Sequence, residues 1–408
     1  MVRLIKTDDL SVRVYEGRNV PGYAILSHRW EAGEISLQEL QGNLNQHKAG
    51  WLKLRRFCQF ADYKGHRFVW IDTCCIDKTS SADLSEAINS MFKWYRRAER
   101  CYAYLYDVLP RGDLPFSDWM QSFRCSEWFE RGWTLQELLA PRELIFVCRS
   151  WEEEIGTRTS LSEEVKEATG IPKQALVQSW SLKDDLGSPK YSIAQVMSWA
   201  SGRHTTRTED TAYSLMGLFH ISMPLLYGEG QNAFVRLQLE IMSKYDDYSL
   251  FAWTTSLPSL LSARNQALNQ SLEVPGGYRW GGLLAPTIRC FKNCNNYRRV
   301  FMTDDHDCSR SISMTSRGIQ LQAPLRRHRQ GRNEWLLLLD CGREGNRKHR
   351  FGLVVHANFD RKYARRLQED EGFITDLVDC EVDTERERWS EYELCSLVMT
   401  QDWPGDHE

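Results

Sequence analysis

Residues 67–106, RFVWIDTCCIDKTSSADLSEAINSMFKWYRRAERCYAYLY, indicate the class of fold. The segment begins with the apolar run RFVWID (67–72), ends with the run CYAYLY (101–106), and has a helical pattern between them. In that pattern apolar side chains recur every three or four residues, and Ser80 with Asp83 matches a capping-box start. Two buried strands joined by a helix predict a parallel pair.

Two further apolar runs extend this unit in both directions. YAILSH (23–28) precedes it and ELIFVC (143–148) follows it. A helical pattern over residues 49–65 joins the first two strands, and Gly65 offers a C-terminal stop. Short apolar runs separated by helices are typical of a parallel sheet with both faces covered. The sequence therefore predicts an α/β domain with βαβαβ connectivity and right-handed crossovers.

The rest of the chain changes character twice. Residues 192–253 have mostly helical patterns, whereas from about Gly276 onward runs such as WLLLLDC (335–341) alternate with turns and predict strands. The turn-rich stretch 254–275 is the expected boundary. We expect an α/β domain over residues 1–200, a helical extension over 201–260 and a β-rich accessory domain over 261–408.

Composition narrows the environment and the partners. The formal net charge of -3 gives no field that would hold a polyanion, so nucleic acid is not expected as a partner. The N-terminus has no apolar signal region and no run is long enough to span a membrane. The 12 cysteines are scattered, which fits reduced thiols. We expect a cytoplasmic protein without membrane attachment.

A second segment, WFERGWTLQELLAP (128–141), suggests chemistry. A helix over 132–140 would end at Pro141 and bury one stripe against the core. Trp133 and Glu137 are four residues apart and are expected on the opposite face, where an uncovered indole indicates the wall of a cleft. The expected buried stripe consists of Leu135, Leu138 and Leu139.

Polar and aromatic residues also follow the first two predicted strands. In parallel α/β sheets, clefts form at the carboxyl ends of the strands, so these residues are expected to converge at one edge. After the first strand come Ser27, His28, Arg29 and Trp30, and after the second come Asp72, Thr73, Cys74 and Cys75.

Long blocks of this sequence resemble the fungal heterokaryon incompatibility (HET) domain. They are YAILSHRW, the segment from WIDTCC to CYAYL, WFERGWTLQELLAP and RTEDTAYSLMGLFHISMPLLYGEGQNAFVRLQ, which occur in the family's order over residues 1–253. The resemblance implies a role in non-self recognition between fungal cells and in the cell death that follows incompatible fusion.

The resemblance also implies remote kinship with Toll/interleukin-1 receptor (TIR) domains, and hence a TIR-like, flavodoxin-like sheet. Enzymatic TIR domains cleave NAD at the nicotinamide bond with a glutamate in a W-x-x-x-E-L setting, matched here by Trp133, Glu137 and Leu138. The implied catalytic residue is Glu137, NAD is a substrate and no cofactor or metal is expected. Self-assembly into a homo-oligomer when active, and contact with other incompatibility proteins, are implied as well. The expected substrate-binding residues are Ser27, His28, Arg29, Trp30, Asp72, Cys75 and Trp133.

The chemistry is plausible for a single carboxylate. The nicotinamide of oxidised NAD is cationic and leaves as a neutral base, so no general acid is needed, and one carboxylate can stabilise the oxocarbenium-like charge. Trp30 or Trp133 could stack on a ring and Arg29 could meet the phosphates. No G-x-G-x-x-G follows the first strand, so Rossmann-type binding is not supported.

Three other readings stay open at this point. The α/β domain could be a non-catalytic, self-associating signalling module. A thiol hydrolase could use Cys74 or Cys75 with His28 and Asp72. A zinc site is a further reading, with a weak signal because its spacing is unusual; its ligands would be Cys290, Cys294, His306 and Cys308.

Overall fold

The structure is a computed structural model, in which the described residues fall into two compact units. The N-terminal unit comprises Met1–Ser181 and Arg203–Leu225, and the C-terminal unit comprises Leu182–Gly202 and Leu226–Glu408. The division predicted at residues 200 and 260 stays a prediction, and nearly all of the boundary stretch 254–275 lies outside the described residues. The structure describes residues 1–178, 180–182, 190–254, 283–299, 312–327, 334–345, 349–357, 363–366, 377–381 and 393–399.

Helices and strands alternate in the first half of the chain, and strands dominate the end. The helices are α1 (Leu37–Gly42), α2 (Ala49–Tyr63), α3 (Asp72–Cys75), α4 (Ser81–Arg97), α5 (Phe116–Arg124), α6 (Thr134–Leu139), α7 (Ser162–Thr169), α8 (Lys173–Val177), α9 (Ile193–Ala200), α10 (Asp210–Tyr213) and α11 (Asn232–Lys244). The strands are β1 (Val2–Lys6), β2 (Val12–Tyr15), β3 (Ala24–His28), β4 (Phe68–Trp70), β5 (Arg100–Leu105), β6 (Leu144–Cys148), β7 (Glu154–Thr157), β8 (Tyr297–Arg299), β9 (Ser313–Thr315), β10 (Gly318–Arg327), β11 (Glu334–Leu338), β12 (Cys341–Arg343), β13 (His349–Ala357), β14 (Tyr363–Arg366), β15 (Leu377–Glu381) and β16 (Glu393–Met399).

The N-terminal unit is built on a seven-stranded sheet of order β2-β1-β4-β3-β5-β6-β7. The four predicted strands β3, β4, β5 and β6 are parallel neighbours, which confirms the α/β prediction. The sheet as a whole is mixed, because β1 pairs antiparallel with β4 and β2, and β7 pairs antiparallel with β6. The expectation of a wholly parallel sheet is therefore wrong at both edges.

Burial explains why the central strands form where they do. Every residue of β3 and of β6 is buried, as expected for strands covered on both faces. Helix α4 begins where the Ser80 side chain accepts a hydrogen bond from the Asp83 amide at 3.2 Å, and its apolar stripe is buried against the sheet. Helix α2 ends just before Gly65, whose φ of +88° is the left-handed conformation that favours glycine.

Helix α6 is short, and other segments of the chain hold both of its ends. At its C-terminus the buried Arg158 donates from Nη1 to the carbonyls of Leu138 at 2.6 Å and Leu139 at 3.3 Å, which satisfies acceptors that a helix end leaves open. Before its N-terminus, the His204 amide donates to the Glu130 carbonyl at 2.6 Å, and the Gly132 amide donates to the His204 carbonyl at 2.8 Å.

The C-terminal unit is β-rich, as predicted. Strand β10 pairs with β11 and β16, while β13 pairs with β11, β14 and β15. Because β14 also pairs with β16, these pairings form a closed ring of five strands. The helical part of this unit includes α11, which follows the turn at Gly228 and Gly230, two glycines in the left-handed conformation.

We expect the contact between Gly132 and the segment after Arg203 to tolerate no side chain. A Cβ at position 132 would lie 2.5 Å from Thr205 Cγ2, so Gly132→Ala should destabilise the fold by about 1–3 kcal/mol in urea denaturation. The double variant with Thr205→Ser removes that methyl group and keeps the hydroxyl that donates to the Arg207 carbonyl at 2.7 Å. It should recover most of the loss, and equal stability of the single and double variants would contradict the steric explanation.

Candidate functional site

The candidate site lies at the carboxyl ends of the central parallel strands. From β3 the chain passes first to β4 on one side and then to β5 on the other, so a topological switch point lies between β3 and β5. In open α/β sheets ligands bind at such a point. Ser27 and His28 end β3, and Asp72 opens α3 directly after β4. The structure thus brings Ser27, His28 and Asp72, which the sequence singled out, to one edge.

Glu137 lies in a helix that is buried on every side. All six residues of α6 are buried, and Glu137 is only 6% exposed. The predicted contrast between a leucine stripe and an open face is therefore wrong. A six-residue helix that packs against β3 and α4 and is clamped beside His204 has no solvent side. The carboxyl group faces packed side chains instead of an open cleft.

A chain of two hydrogen bonds fixes the Glu137 carboxyl group. The Trp128 indole Nε1 donates to Ser27 Oγ at 2.9 Å, and Ser27 Oγ donates to Glu137 Oε2 at 2.5 Å. An indole can only donate, so the direction of the first bond is determined, and Ser27 donates its one proton to the carboxylate form of Glu137. Ser27 and Trp128 are 0% and 1% exposed, which excludes water from both bonds. The aromatic partner of the carboxyl group is thus Trp128, through Ser27, and not Trp133.

Burial sets the protonation of Glu137. Desolvation raises the pKa of this carboxyl group to about 8; the Ser27 hydrogen bond opposes the increase, and the nearby Asp72 carboxylate adds to it. The positive charge of Arg131 lowers the pKa of Glu137. At neutral pH Glu137 is therefore mainly a neutral acid.

Tyr95 of α4 is a buried phenol that is coupled electrostatically to Glu137. Its hydroxyl donates to the Leu26 carbonyl at 2.9 Å, and the side chain is 1% exposed. Burial, followed by the charge of Glu137, raises the pKa of Tyr95 well above its usual value. Tyr95 therefore stays a neutral hydroxyl that ties α4 to β3 beside the carboxyl group.

Asp72 forms the ionised part of the same edge. Its Oδ1 lies 3.2 Å from His28 Nε2, and its Oδ2 accepts from Trp30 Nε1 at 2.6 Å. Burial alone would raise the pKa of Asp72, but His28, Lys78 and the Trp30 hydrogen bond outweigh it and lower the pKa to about 2. Lys78 Nζ lies 3.5 Å from the centroid of the Trp30 ring. A permanent carboxylate, a cation and a half-exposed indole thus meet next to the neutral Glu137.

Arg29 lies on the exposed rim. Its guanidinium is paired with the Glu127 carboxylate, and its Nη1 donates to the Tyr106 hydroxyl at 3.1 Å. The Tyr106 hydroxyl in turn donates to Glu127 at 3.2 Å. Tyr106 follows β5, so this cluster sits at the switch point between β3 and β5. An anionic ligand would have to compete with Glu127 for the guanidinium.

Two predicted site residues stand apart from this arrangement. Trp133 is half-buried immediately before α6, and it packs against no other aromatic ring among the described residues. Cys75 is 3% exposed, and its thiol accepts a hydrogen bond from the Ile71 amide at 3.4 Å. The structure places Cys75 in the core below the edge, where it has little surface to offer a substrate.

The thiol hydrolase reading is not supported by the environment of its nucleophile. Burial raises the pKa of Cys74 to about 12 and that of Cys75 well above its usual value. A nucleophilic thiolate needs the opposite shift, which a neighbouring cation or helix N-terminus provides. These thiols therefore act as small core side chains.

The described residues give no support for the zinc site. Cys290 and Cys294 are buried in the C-terminal unit, whereas His306 and Cys308 lie outside the described residues. Within the described part of the chain, no cluster of three or more potential metal ligands is found.

Sequence reasoning missed three residues around Glu137. Trp128 lies in the segment 128–141, but the W-x-x-x-E-L motif places its tryptophan at position 133. Tyr95 lies in the helical pattern between β4 and β5, which gives no sign of a polar role. Arg203, which is 8% exposed and donates to the Thr134 hydroxyl at 3.0 Å, carried no signal, because it lies far along the chain from α6.

Comparison with known proteins shows what the N-terminal unit resembles. The profile of the family described as heterokaryon incompatibility protein (HET) matches residues 23–112, from the start of β3 to beyond β5. Over these residues the chain is similar to a HET domain. Residues 232–370 match a second profile, described only as a domain of unknown function (DUF8212). No solved structure matches the chain.

A curated relative extends the similarity beyond the HET profile. The chain is 42% identical over 251 residues to the Vegetative incompatibility protein HET-E-1 of Podospora anserina. The alignment covers 59% of this chain but 18% of that protein, so the chain spans less than a fifth of the length of this relative.

None of the helices in the described part of the chain combines the length and the apolar character needed to cross a bilayer.

Glu137 should make stability depend on pH in a defined window. Its pKa is 4.5 in the unfolded chain and about 8 in the folded protein, so between these values only the folded state holds the proton. The free energy of unfolding should therefore fall as pH rises, by up to about 1.4 kcal/mol per pH unit, and level off above the folded pKa. Asp72, with a lowered pKa, contributes only at more acidic pH.

Glu137→Gln removes this titration and supplies the control. In urea denaturation at several pH values, the stability of the variant relative to wild type should increase from about pH 5 to about pH 8. Parallel stability curves for the two proteins would show that Glu137 is ionised in the folded state.

Buried thiols predict a pattern of chemical labelling. With iodoacetamide on the native protein, the peptide that contains Cys74 and Cys75 should stay unmodified, whereas the exposed Cys125 should react. Peptide mass spectrometry before and after denaturation measures both, and Cys125→Ser controls for the reactive site. Rapid native labelling of Cys74 or Cys75 would revive the thiol hydrolase reading.

Proposed function

We propose that this protein is a cell-death effector of fungal heterokaryon incompatibility, and that its HET domain cleaves NAD at the nicotinamide glycosidic bond. The HET profile and the identity with a protein named Vegetative incompatibility protein HET-E-1 support the cellular role. The observation that carries the enzymatic part is the buried, hydrogen-bonded carboxyl group of Glu137 at the switch-point edge of the sheet.

A TIR-like fold is part of this proposal. The order β4-β3-β5-β6 of the parallel strands is the doubly wound order 2-1-3-4, which flavodoxin-like sheets share. Trp133, Glu137 and Leu138 resemble the setting of the catalytic glutamate in enzymatic TIR domains. The strand order and this short motif are independent observations, and both support kinship with TIR domains.

The proposed reaction uses the charge of the substrate itself. When NAD binds, its cationic nicotinamide lowers the pKa of Glu137, and the acid releases its proton. The bond from the ribose carbon to the nicotinamide nitrogen breaks, and the electron pair leaves with the now neutral nicotinamide. Water adds to the ribosyl cation and loses a proton, so NAD and water give ADP-ribose, nicotinamide and one proton.

The surrounding residues have defined roles in this proposal. The Glu137 carboxylate stabilises the ribosyl cation, and in a site that excludes water this attraction is far stronger than in solution. Ser27 and Trp128 hold the carboxylate in one orientation. Trp30 offers a ring for stacking, and Asp72 and His28 offer polar contacts near it. Arg29 binds a phosphate in place of its present partner Glu127.

Access to Glu137 requires a change at the edge. With 6% of the side chain exposed, a ribose cannot reach the carboxyl group unless a flanking segment moves. Self-association into a homo-oligomer, or contact with other incompatibility proteins, would supply the energy for this change. Activity is then expected to rise steeply with protein concentration.

A second candidate function follows from the same burial. A carboxyl group that is enclosed and hydrogen-bonded fits a structural role, and the HET domain would then be a non-catalytic module that signals through self-association. The two functions differ in one measurable respect, since only the first consumes NAD.

The deciding experiment incubates purified protein with NAD over a range of protein concentrations and separates the products by chromatography. Wild type should release nicotinamide, Glu137→Gln should be slower by about 100-fold or more, and Glu130→Gln, which alters an exposed carboxylate nearby, should match wild type. Assembly of each protein is followed by light scattering. NAD left intact by assembled wild-type protein that still causes cell death would establish the signalling module instead.

A further inference from the structure

The segment Arg203–Thr206 adds a short strand-like edge to the loop before α6. The His204 amide and carbonyl both bond to this loop, at Glu130 and at Gly132, and Arg131 pairs with His204 in a parallel bridge. The two partners are far apart in sequence, so their contact is a tertiary one. The loop that leads into α6 is therefore positioned by a distant part of the chain.

The side chain of Arg203 extends this contact into the first turn of α6. Its Nη1 donates to the Arg131 carbonyl at 3.0 Å and to the Thr134 hydroxyl at 3.0 Å, and the residue is 8% exposed. The Thr134 hydroxyl donates to the Trp128 carbonyl at 2.6 Å. One guanidinium thus links the backbone that carries Trp128 to the helix that carries Glu137.

The Trp128–Ser27–Glu137 chain begins at Trp128 and ends at Glu137, and the segments that carry these two residues are both linked to Arg203. Trp128 fixes Ser27, Ser27 fixes Glu137, and the main chain of Trp128 and the start of α6 meet through Thr134 at Arg203. A displacement of the guanidinium would change the distance between the Trp128 segment and α6. The two hydrogen bonds of Ser27 depend directly on that distance.

The charge of Arg203 acts on Glu137 as well. Burial lowers the pKa of the guanidinium and the Glu137 carboxylate raises it, but an arginine keeps its charge at neutral pH. A fixed cation favours the ionised carboxyl group against the cost of burial. The titratable and charged groups that act on or face Glu137 are Asp72 in α3, Tyr95 in α4, Cys101 in β5, Arg131 before α6, and Arg203.

We propose that Arg203 is a positioning residue for Glu137, which holds the Trp128–Ser27–Glu137 chain together and supplies the cation that lets the carboxyl group ionise when substrate binds. This inference rests on the proposed NAD cleavage for its consequence and for the kcat measured in one variant, whereas the pH titration that tests it does not depend on turnover. Arg203 lies outside the W-x-x-x-E-L motif, but under this proposal the glutamate of the motif depends on it.

The test is a pH titration that reads Glu137 without any turnover. The indole N–H signal of Trp128, assigned as the ¹H–¹⁵N resonance lost in Trp128→Phe, should report the ionisation of Glu137 through Ser27. In wild type its midpoint should lie near pH 8, and in Arg203→Gln it should rise by about one pH unit or more. Arg18→Gln, which removes an exposed arginine of the same unit, should leave the midpoint unchanged.

Arg203→Lys separates charge from geometry and covers the case in which Arg203→Gln does not fold. Lysine keeps the cation but not the planar fork, so the midpoint should stay close to that of wild type while kcat for NAD cleavage falls at least severalfold. A midpoint in Arg203→Lys that rises to the extent predicted for Arg203→Gln, or kcat and midpoint both equal to wild type, would overturn the proposal.

The outcomes also separate this inference from the proposed function. If Arg203→Gln unfolds at a lower temperature but titrates like wild type, Arg203 is only structural and the inference is wrong, whether or not NAD is cleaved. If the midpoints shift as expected while wild type leaves NAD intact, the proposed enzyme fails and the positioning of Glu137 by Arg203 stands.

Discussion

The candidate site depends on the two hydrogen bonds of the Ser27 hydroxyl group. This hydroxyl accepts a hydrogen bond from the Trp128 indole and is itself hydrogen-bonded to Oε2 of Glu137, so one group joins both side chains. Strand β3, the turn that contains Trp128 and helix α6 must therefore keep fixed distances from one another. Arg158 at one end of α6 and the segment after Gly202 at the other maintain those distances from outside the network.

Burying a carboxyl group costs free energy of folding, and the surroundings of Glu137 reduce that cost. Glu137 avoids an isolated charge by remaining protonated at neutral pH, and its Oε2 is satisfied by Ser27. Asp72, only partly covered and in contact with His28, Trp30 and Lys78, carries the permanent negative charge instead. Two carboxyl groups at one edge thus differ in protonation because their surroundings differ, an arrangement found where acid and base roles are divided.

The sequence predicted the framework of this site better than its interior. The strands at 23–28, 67–72, 101–106 and 143–148 were recognisable because fully buried strands are nearly continuous in apolar residues, and Glu137 stood out by its spacing from Trp133. The orientation of α6 was not predictable, because periodicity assumes that a helix has a solvent side and this one has none. The roles of Trp128 and Arg203 depend on tertiary contacts that no local pattern encodes. The antiparallel edge strands were missed because they are short and their burial is incomplete.

The alternation of the two compact units along the chain has a consequence for how this domain can be inherited or dissected. Residues Leu182–Gly202 interrupt the N-terminal unit, so no single cut releases all of it. A fragment limited to the profile match at 23–112 would carry Ser27 and Asp72 without the helix that bears Glu137, and a fragment ending at Ser181 would leave Arg203 behind. Recombination between related genes would transfer the whole carboxyl network only if it exchanged the stretch from Ser27 through Arg203 as one piece.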